Sequence, residues 1–211
     1  SNEFEHDSCG IGFVANINGE KSHRIISQGL DILRNMTHRG AEGADSKTGD
    51  GAGIMIQVPR DFYLIQGLTL PPEGKYGTGL LFLPQDTHEA RRCEEILVSI
   101  ATEEGVSLIG FREVPRDNSV LGEISGMAEP YIRQIFFMAD LCQEELERKL
   151  FIIRKRAENA IRASDLKGKS FFYIPSLSTR VLVYKGMMTS LQLMAYYRDL
   201  TDERMQSAIA L

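Results

Sequence analysis

One stretch restricts this chain more than any other: Cys9-Gly10-Ile11-Gly12-Phe13-Val14-Ala15-Asn16-Ile17. Ile11, Phe13, Ala15 and Ile17 stand two apart, so the spacing predicts a strand with one buried face that starts at the thiol. Gly10 and Gly12 let other backbone come close to it. A strand end holds a reactive group more rigidly than a loop does. Only eight residues precede Cys9. Were they removed, its α-amino group would lie beside the sulfur. That amine titrates at about 7.7–8.0 in model peptides, which suits it to act as base and then acid for the same residue. The competing account makes Cys9 one more small buried residue of a strand, as most single cysteines are. The rest of the sequence has to decide.

The 211 residues are enough to bury a full core, and 43% hydrophobic with 25% charged residues is ordinary for a soluble globular chain. A net charge of -5 leaves no basic footprint for nucleic acid or an anionic membrane. No apolar run approaches the ~20 residues that span a bilayer. Residues 1–8 are polar and acidic, unlike a secretory signal, and Ser1-Asn2 reads as the remnant of a tag. Three cysteines, at 9, 93 and 142, are scattered and odd in number. This argues against a disulfide framework and for a reducing compartment, the cytoplasm. The four histidines, at 6, 23, 38 and 88, share no zinc-ligand spacing. Three cysteines cannot supply a four-thiolate iron–sulfur cluster.

Along the chain, Asn18-Gly19 predicts a turn, and a helix follows over about 23–37 with Ile26, Leu30, Leu33 and Thr37 on one face. Gly40 suits its C-cap, and Arg39 the negative end of its dipole. The glycine-rich run 41–53 lacks the GK[ST] ending of a phosphate loop, so it reads as a close turn ahead of a strand over 52–58. A short helix over 60–66 follows. Residues 76–83 and 106–114 are strands around a helix that Asp86 and Glu89 would open as a capping box. Residues 131–138 are a strand, and 143–164 a helix with Leu146, Leu150, Ile153, Ala157 and Ile161 as its apolar stripe. Arg148, Lys149, Arg154, Lys155, Arg156 and Arg162 lie on its outer face; with Glu147 and Glu158 interleaved, that face reads as solvated. Residues 171–174 and 181–184 read as strands, and Thr189 with Gln192 caps a last helix. The segment 67–170 reads as an insertion of strand–helix units within residues 9–211. The apolar run 208–211 suggests a strand cut off before its pairing partner arrives.

Three stretches resemble a known family: CGIGFVANINGEKSH from Cys9, HRGAEGADSKTGDGAGIMIQVP from His38, and SLSTRVLVYKGMMTSLQL from Ser176. The family is the class II glutamine amidotransferase domain that opens the glutamate synthase large subunit. The resemblance implies an α+β fold, the αββα sandwich of antiparallel sheets of an N-terminal-nucleophile hydrolase. It implies a propeptide cut between Ser8 and Cys9, Cys9 as the catalytic nucleophile, and Arg39 beside the thiol and the bound glutamine. Family members continue past the equivalent of Leu211 with a strand close to HSRFSTN and a loop HNGEIN, which hold the substrate and form the oxyanion hole. Neither is in this sequence, so the chain resembles the N-terminal portion of that domain. The FMN and iron–sulfur cluster of the complete enzyme would likewise be bound by regions outside these residues, with no cofactor here.

Two functions follow. The first is a glutaminase that hydrolyses glutamine to glutamate and ammonia, for transfer to 2-oxoglutarate. Its partners would be glutamine, the remainder of the large subunit and the small subunit; neither nucleic acid nor membrane is among them. The alternative is a non-catalytic scaffold or subunit-interaction module of the same fold, against which an intact Cys9 and HRG weigh. A phosphate-binding module built on TGDGAG is a weaker third. Cys93 and Cys142 are expected to be structural and buried or half-buried, and an unfinished sheet edge favours a homo-oligomer.

Overall fold

The computed structural model of the chain describes residues 10–36 and 51–211. In chain order the elements are β1 (Val14–Ala15), α1 (His23–Asn35), β2 (Ala52–Gln57), α2 (Arg60–Ile65), β3 (Tyr76–Leu83), α3 (Thr87–Glu103), β4 (Ser107–Glu113), α4 (Glu123–Met127), β5 (Tyr131–Met138), α5 (Gln143–Ala163), β6 (Val181–Gly186), α6 (Ser190–Tyr196) and β7 (Ile209–Ala210). The strands over 76–83 and 131–138 have the bounds their apolar runs predict. All five stripe residues of α5 are fully buried.

The chain divides into two compact units. The first gathers the described part of residues 1–56 with Pro115–Ala128 and Tyr184–Leu211. Its sheet has the strand order β1-β7-β2-β6. Strand β7 runs antiparallel to both its neighbours, with Val14 opposite Ala210, Ala15 opposite Ile209, and Ile56 opposite Ala210. Helix α1 sets Ile25, Ile26 and Leu30 into the core. Gly29 lets it come close to the sheet, since a β-carbon there would stand 2.7 Å from that of Ala210.

The second unit gathers Gln57–Val114 and Glu129–Val183. Its antiparallel sheet has the order β3-β5-β4. Helix α3 therefore crosses from β3 to β4 and leaves a gap that β5 fills. Leu81, Leu83, Cys93, Leu97, Ile135, Phe137, Leu146, Leu150 and Ile153 form one core between this sheet and helices α3 and α5. Each such side chain contributes about 1.5–3 kcal/mol on burial. The outer edge of β3 is bridged by Tyr173 opposite Phe82 and Ser178 opposite Thr78. Gly79 permits that approach: a β-carbon would fall 2.1 Å from the Ser176 carbonyl oxygen.

Four expectations are corrected. The alternation over 10–17 is present, but in the opposite phase. Ile11, Phe13 and Ile17 are 78%, 68% and 98% exposed, while Gly10 and Gly12 face Met36 and Ile32 of the helix side. The glycines thus mark the packed face, because α1 comes too near for a side chain there. Second, Asp86 accepts from the backbone of His88 and Glu89 at 3.0 and 2.9 Å, but Glu89 does not reach back to complete a capping box. Its carboxylate accepts instead from the Lys167 and Gly168 amides, both at 2.8 Å. Third, residues 169–171 form a turn of 3-10 helix, and the segment after it makes only the isolated bridges to β3. Fourth, β7 does not wait for a partner, since β1 and β2 flank it on both sides.

Candidate functional site

Cys9 and Arg39 lie outside the described residues, as do residues 37–50, which include most of the glycine-rich loop. The described backbone begins next to Cys9, at Gly10, and is held in a sheet from Val14. The Asn16 amide donates to Ala208 O at 2.8 Å, and a bridge joins Ser22 to Ser207. On the far side of β7, Met55 and Leu211 exchange backbone hydrogen bonds at 2.7 and 3.0 Å. A β-carbon on Gly12 would stand 2.6 Å from Ile32 Cγ2, and one on Gly10 3.0 Å from Met36 Sδ. Strand β1 is therefore held by hydrogen bonds along one edge and by helix α1 on one face.

Side chains remote in sequence brace the same unit. His23 Nε2 lies 3.0 Å from Leu200 O, tying the start of α1 to the 198–201 turn. Tyr184 donates to the buried Asp199 carboxylate at 3.0 Å, and Tyr197 donates to Lys185 O at 2.8 Å. The Tyr184, Tyr197 and Tyr196 rings meet edge to face at 5.0 and 4.7 Å. In the turn 202–204, bonds from Arg204, helped by the charge of His23, hold the Asp202 carboxyl down at about 2.

The SLSTR run belongs to the second unit. Glu147 turns off the outer face of α5 and accepts from Ser178 Oγ, Thr179 N and Thr179 Oγ1 at 2.5, 2.7 and 2.7 Å. Arg180 donates to Glu144 at 2.9 Å. Thr189 and Gln192 form the expected capping box at the head of α6. Glu147, Tyr184 and Asp199 carried no sign of these roles in the sequence, because nothing in local spacing reports a partner that many residues away.

The other two cysteines differ from each other. Cys93 is wholly buried in the second unit, and burial, with Glu89 and Glu94 nearby, pushes its thiol up to about 11. It is therefore a structural thiol and not a nucleophile near neutral pH. Cys142 is exposed, contrary to expectation. It stands just ahead of α5, with its amide donating to Glu145 at 3.3 Å. Cys142 and Glu145 together form the capping box of α5. Among the described residues no group of three or more His, Cys, Asp or Glu could hold a metal ion, and no helix is long and apolar enough to cross a membrane. A buried thiol and an exposed one in different surroundings do not fit an iron–sulfur cluster.

The comparisons with known proteins agree with this fold. A family model for class-II glutamine amidotransferases matches residues 9–211, beginning at the cysteine. The chain is 39% identical over 214 residues to the glutamate synthase (NADPH) large chain of Bacillus subtilis, covering 99% of this chain and 14% of that one. It is 39% identical over 220 residues to its namesake from Azospirillum brasilense, again at 99% and 14%. For the glutamate synthase (NADH) of Saccharomyces cerevisiae the figures are 35% over 225 residues, 99% and 10%. The chain thus spans a small part of the length of these relatives. Its antiparallel sheets and helices make up an α+β fold of the N-terminal-nucleophile hydrolase class. The chain belongs to the class II glutamine amidotransferases, as an amidotransferase domain of the glutamate synthase kind.

Proposed function

We propose that this chain supplies the glutaminase chemistry of a glutamate synthase, with Cys9 as nucleophile. The observation that carries the reading is the family match over residues 9–211, which starts on Cys9. Removal of residues 1–8 frees the Cys9 amine. That amine takes the thiol proton as the sulfur attacks the side-chain amide carbon of glutamine. The tetrahedral intermediate collapses, the C–N bond breaks, and the same amine returns the proton to the departing ammonia. Water then cleaves the thioester, releasing glutamate and the thiol. Arg39 positions the bound glutamine next to the sulfur. Strand β1, paired with β7 from Val14 and approached by α1 at Gly12, supports this role, since a nucleophile is most useful when its carrier does not move.

The ammonia passes to a synthase site that aminates 2-oxoglutarate, in the remainder of the large subunit, with a small subunit as a further partner. FMN and an iron–sulfur cluster belong to that remainder, and the protein works in the cytoplasm. The 211 residues alone do not turn over glutamine. They contain neither the HSRFSTN nor the HNGEIN pattern, and losing even one oxyanion donor costs a factor of about 10²–10³.

The test is a glutaminase assay on the complete large chain, with intact mass reporting whether residues 1–8 are gone. The processed protein should release ammonia from glutamine. Cys9→Ser should abolish release, and the unprocessed protein should be nearly inert because its Cys9 nitrogen is an amide. Full turnover by Cys9→Ser would overturn the nucleophile, and steady Cys9-dependent turnover by residues 9–211 alone would overturn the requirement for further chain.

A further inference from the structure

In the second unit, the C-terminal half of α5 and the segment after it enclose a cavity of about 280 Å³. Arg154, Lys155, Arg162 and Lys169 converge on it, against the one carboxylate of Glu158 and beside the Tyr173 ring. The charges around it are unequally satisfied. Glu158 is shared between Lys155 Nζ at 2.7 Å and Arg154 Nε at 4.0 Å. Arg154 also donates to the Pro175 carbonyl at 2.9 Å, and Lys169 to Ser164 O at 2.7 Å. Among the described residues, Arg162 has no carboxylate within ion-pair distance.

A solvated charged face accounts for only part of this arrangement. Lys155, Arg162 and Lys169 are exposed, but the Arg154 and Glu158 side chains are only 21% and 12% exposed and border a concavity. Arg162 does answer the negative end of α5, but a helix terminus carries only about half a charge. Four cations against one carboxylate and that half charge leave the cavity strongly positive. The volume lies just below the ~300 Å³ at which sites for larger ligands begin, so the occupant is small. Guanidinium groups present donors in a fork that matches phosphate or carboxylate oxygens.

We infer that this cavity is a binding site for a small anion of two or more negative charges, carried by phosphoryl or carboxylate groups. The site is independent of the glutaminase reading, because none of its residues belongs to the unit that contains β1.

Isothermal titration of the intact protein at about 0.15 M salt, where exposed charges are largely screened, tests the inference. Pyrophosphate and citrate serve as probes and acetate as the singly charged control. At least one probe should saturate one-to-one, and which one does identifies the phosphoryl or the carboxylate source. Arg162→Gln with Lys169→Gln should weaken that binding at least about tenfold with the melting temperature unchanged. Lys169→Gln alone should weaken it less. Arg148→Gln, on the same helix but lining a different cavity, should leave it intact. Absence of saturation by both probes, acetate binding as tightly, unaltered binding by the double variant, or an equal loss in Arg148→Gln would each overturn the site.

Discussion

Gly12 of the first strand region lies against Ile32 of helix α1 so closely that a β-carbon on it would stand 2.6 Å from Ile32 Cγ2. Ile32 is β-branched and stiff at χ1, so it moves aside only with strain. Gly12→Ala should therefore destabilise the protein by about 1–3 kcal/mol. Phe13→Ser, one residue on but 68% exposed, should stay within about 0.5 kcal/mol of the parent. Denaturant unfolding of the two variants checks the order. A double variant with Ile32→Ala should show the two changes coupled, with Gly12→Ala costing less in that background.

The cysteines should separate by reactivity. Brief treatment with iodoacetamide at pH 7.5, followed by peptide mass spectrometry, should modify Cys142 readily and leave Cys93 untouched until the protein is unfolded. Cys93→Ser should lower stability by about 1–3 kcal/mol, the cost of a buried hydroxyl without a partner, and should leave glutamine turnover by the complete enzyme unchanged. Fast labelling of Cys93 in the native protein would contradict its burial.

Glu147 should be worth more to the second unit than a surface carboxylate is. It accepts three hydrogen bonds from Ser178 and Thr179, and bonds to a charged group contribute about 1.5–3 kcal/mol each before losses elsewhere. Glu147→Ala should cost about 2–3 kcal/mol on that scale. Glu147→Gln should cost less, because one amide oxygen still accepts. A melting temperature unchanged in Glu147→Ala would show that the 178–179 segment does not need the carboxylate.

Asp202 gives a pH dependence. Arg204 is the larger cause of its low titration, with His23 adding a smaller pull. A carboxyl depressed in the folded state contributes stability above its ordinary value near 4, which is lost as pH falls through about 2. The pair is partly exposed, at 54% and 24%, so its contribution stays below about 1 kcal/mol. Carboxyl-carbon NMR should find Asp202 titrating well below its ordinary range, and Arg204→Gln should move it most of the way back. No movement in that variant would remove Arg204 as the cause.

The sequence disclosed those parts of the structure whose cause is local. The stripe of α5 was legible because five apolar residues at helical spacing admit one buried face, and β3 and β5 because short aromatic-rich runs, bordered by Pro84 and Pro130, favour strands. The phase of β1 was misread because two-residue alternation is symmetric between faces, and glycine has no hydrophobic signal to mark the side that packs. The position of β7 was hidden for a different reason: pairing between distant segments leaves no trace in either. Of the proposed site, Cys9 stands out in the sequence through the alternating run it opens. The role given to Arg39 rests on the family resemblance alone, since a helix cap explains it equally well.

The place of β7 between β1 and β2 has a consequence for synthesis. Among the described residues, strand β1 has β7 as its only sheet neighbour, and β7 comes from the opposite end of the described chain. While the polypeptide emerges from a ribosome, the second unit can consolidate first, since all its strands and helices precede β7. The segment next to Cys9 stays without its sheet until the last described residues are free to thread in beside it. The loop-closure cost of pairings this far apart grows only slowly with separation, but such non-local pairings form slowly. A nascent chain therefore holds its earliest strand open the longest, and a stall shortly before Ile209 would leave that strand exposed to whatever else could pair with it.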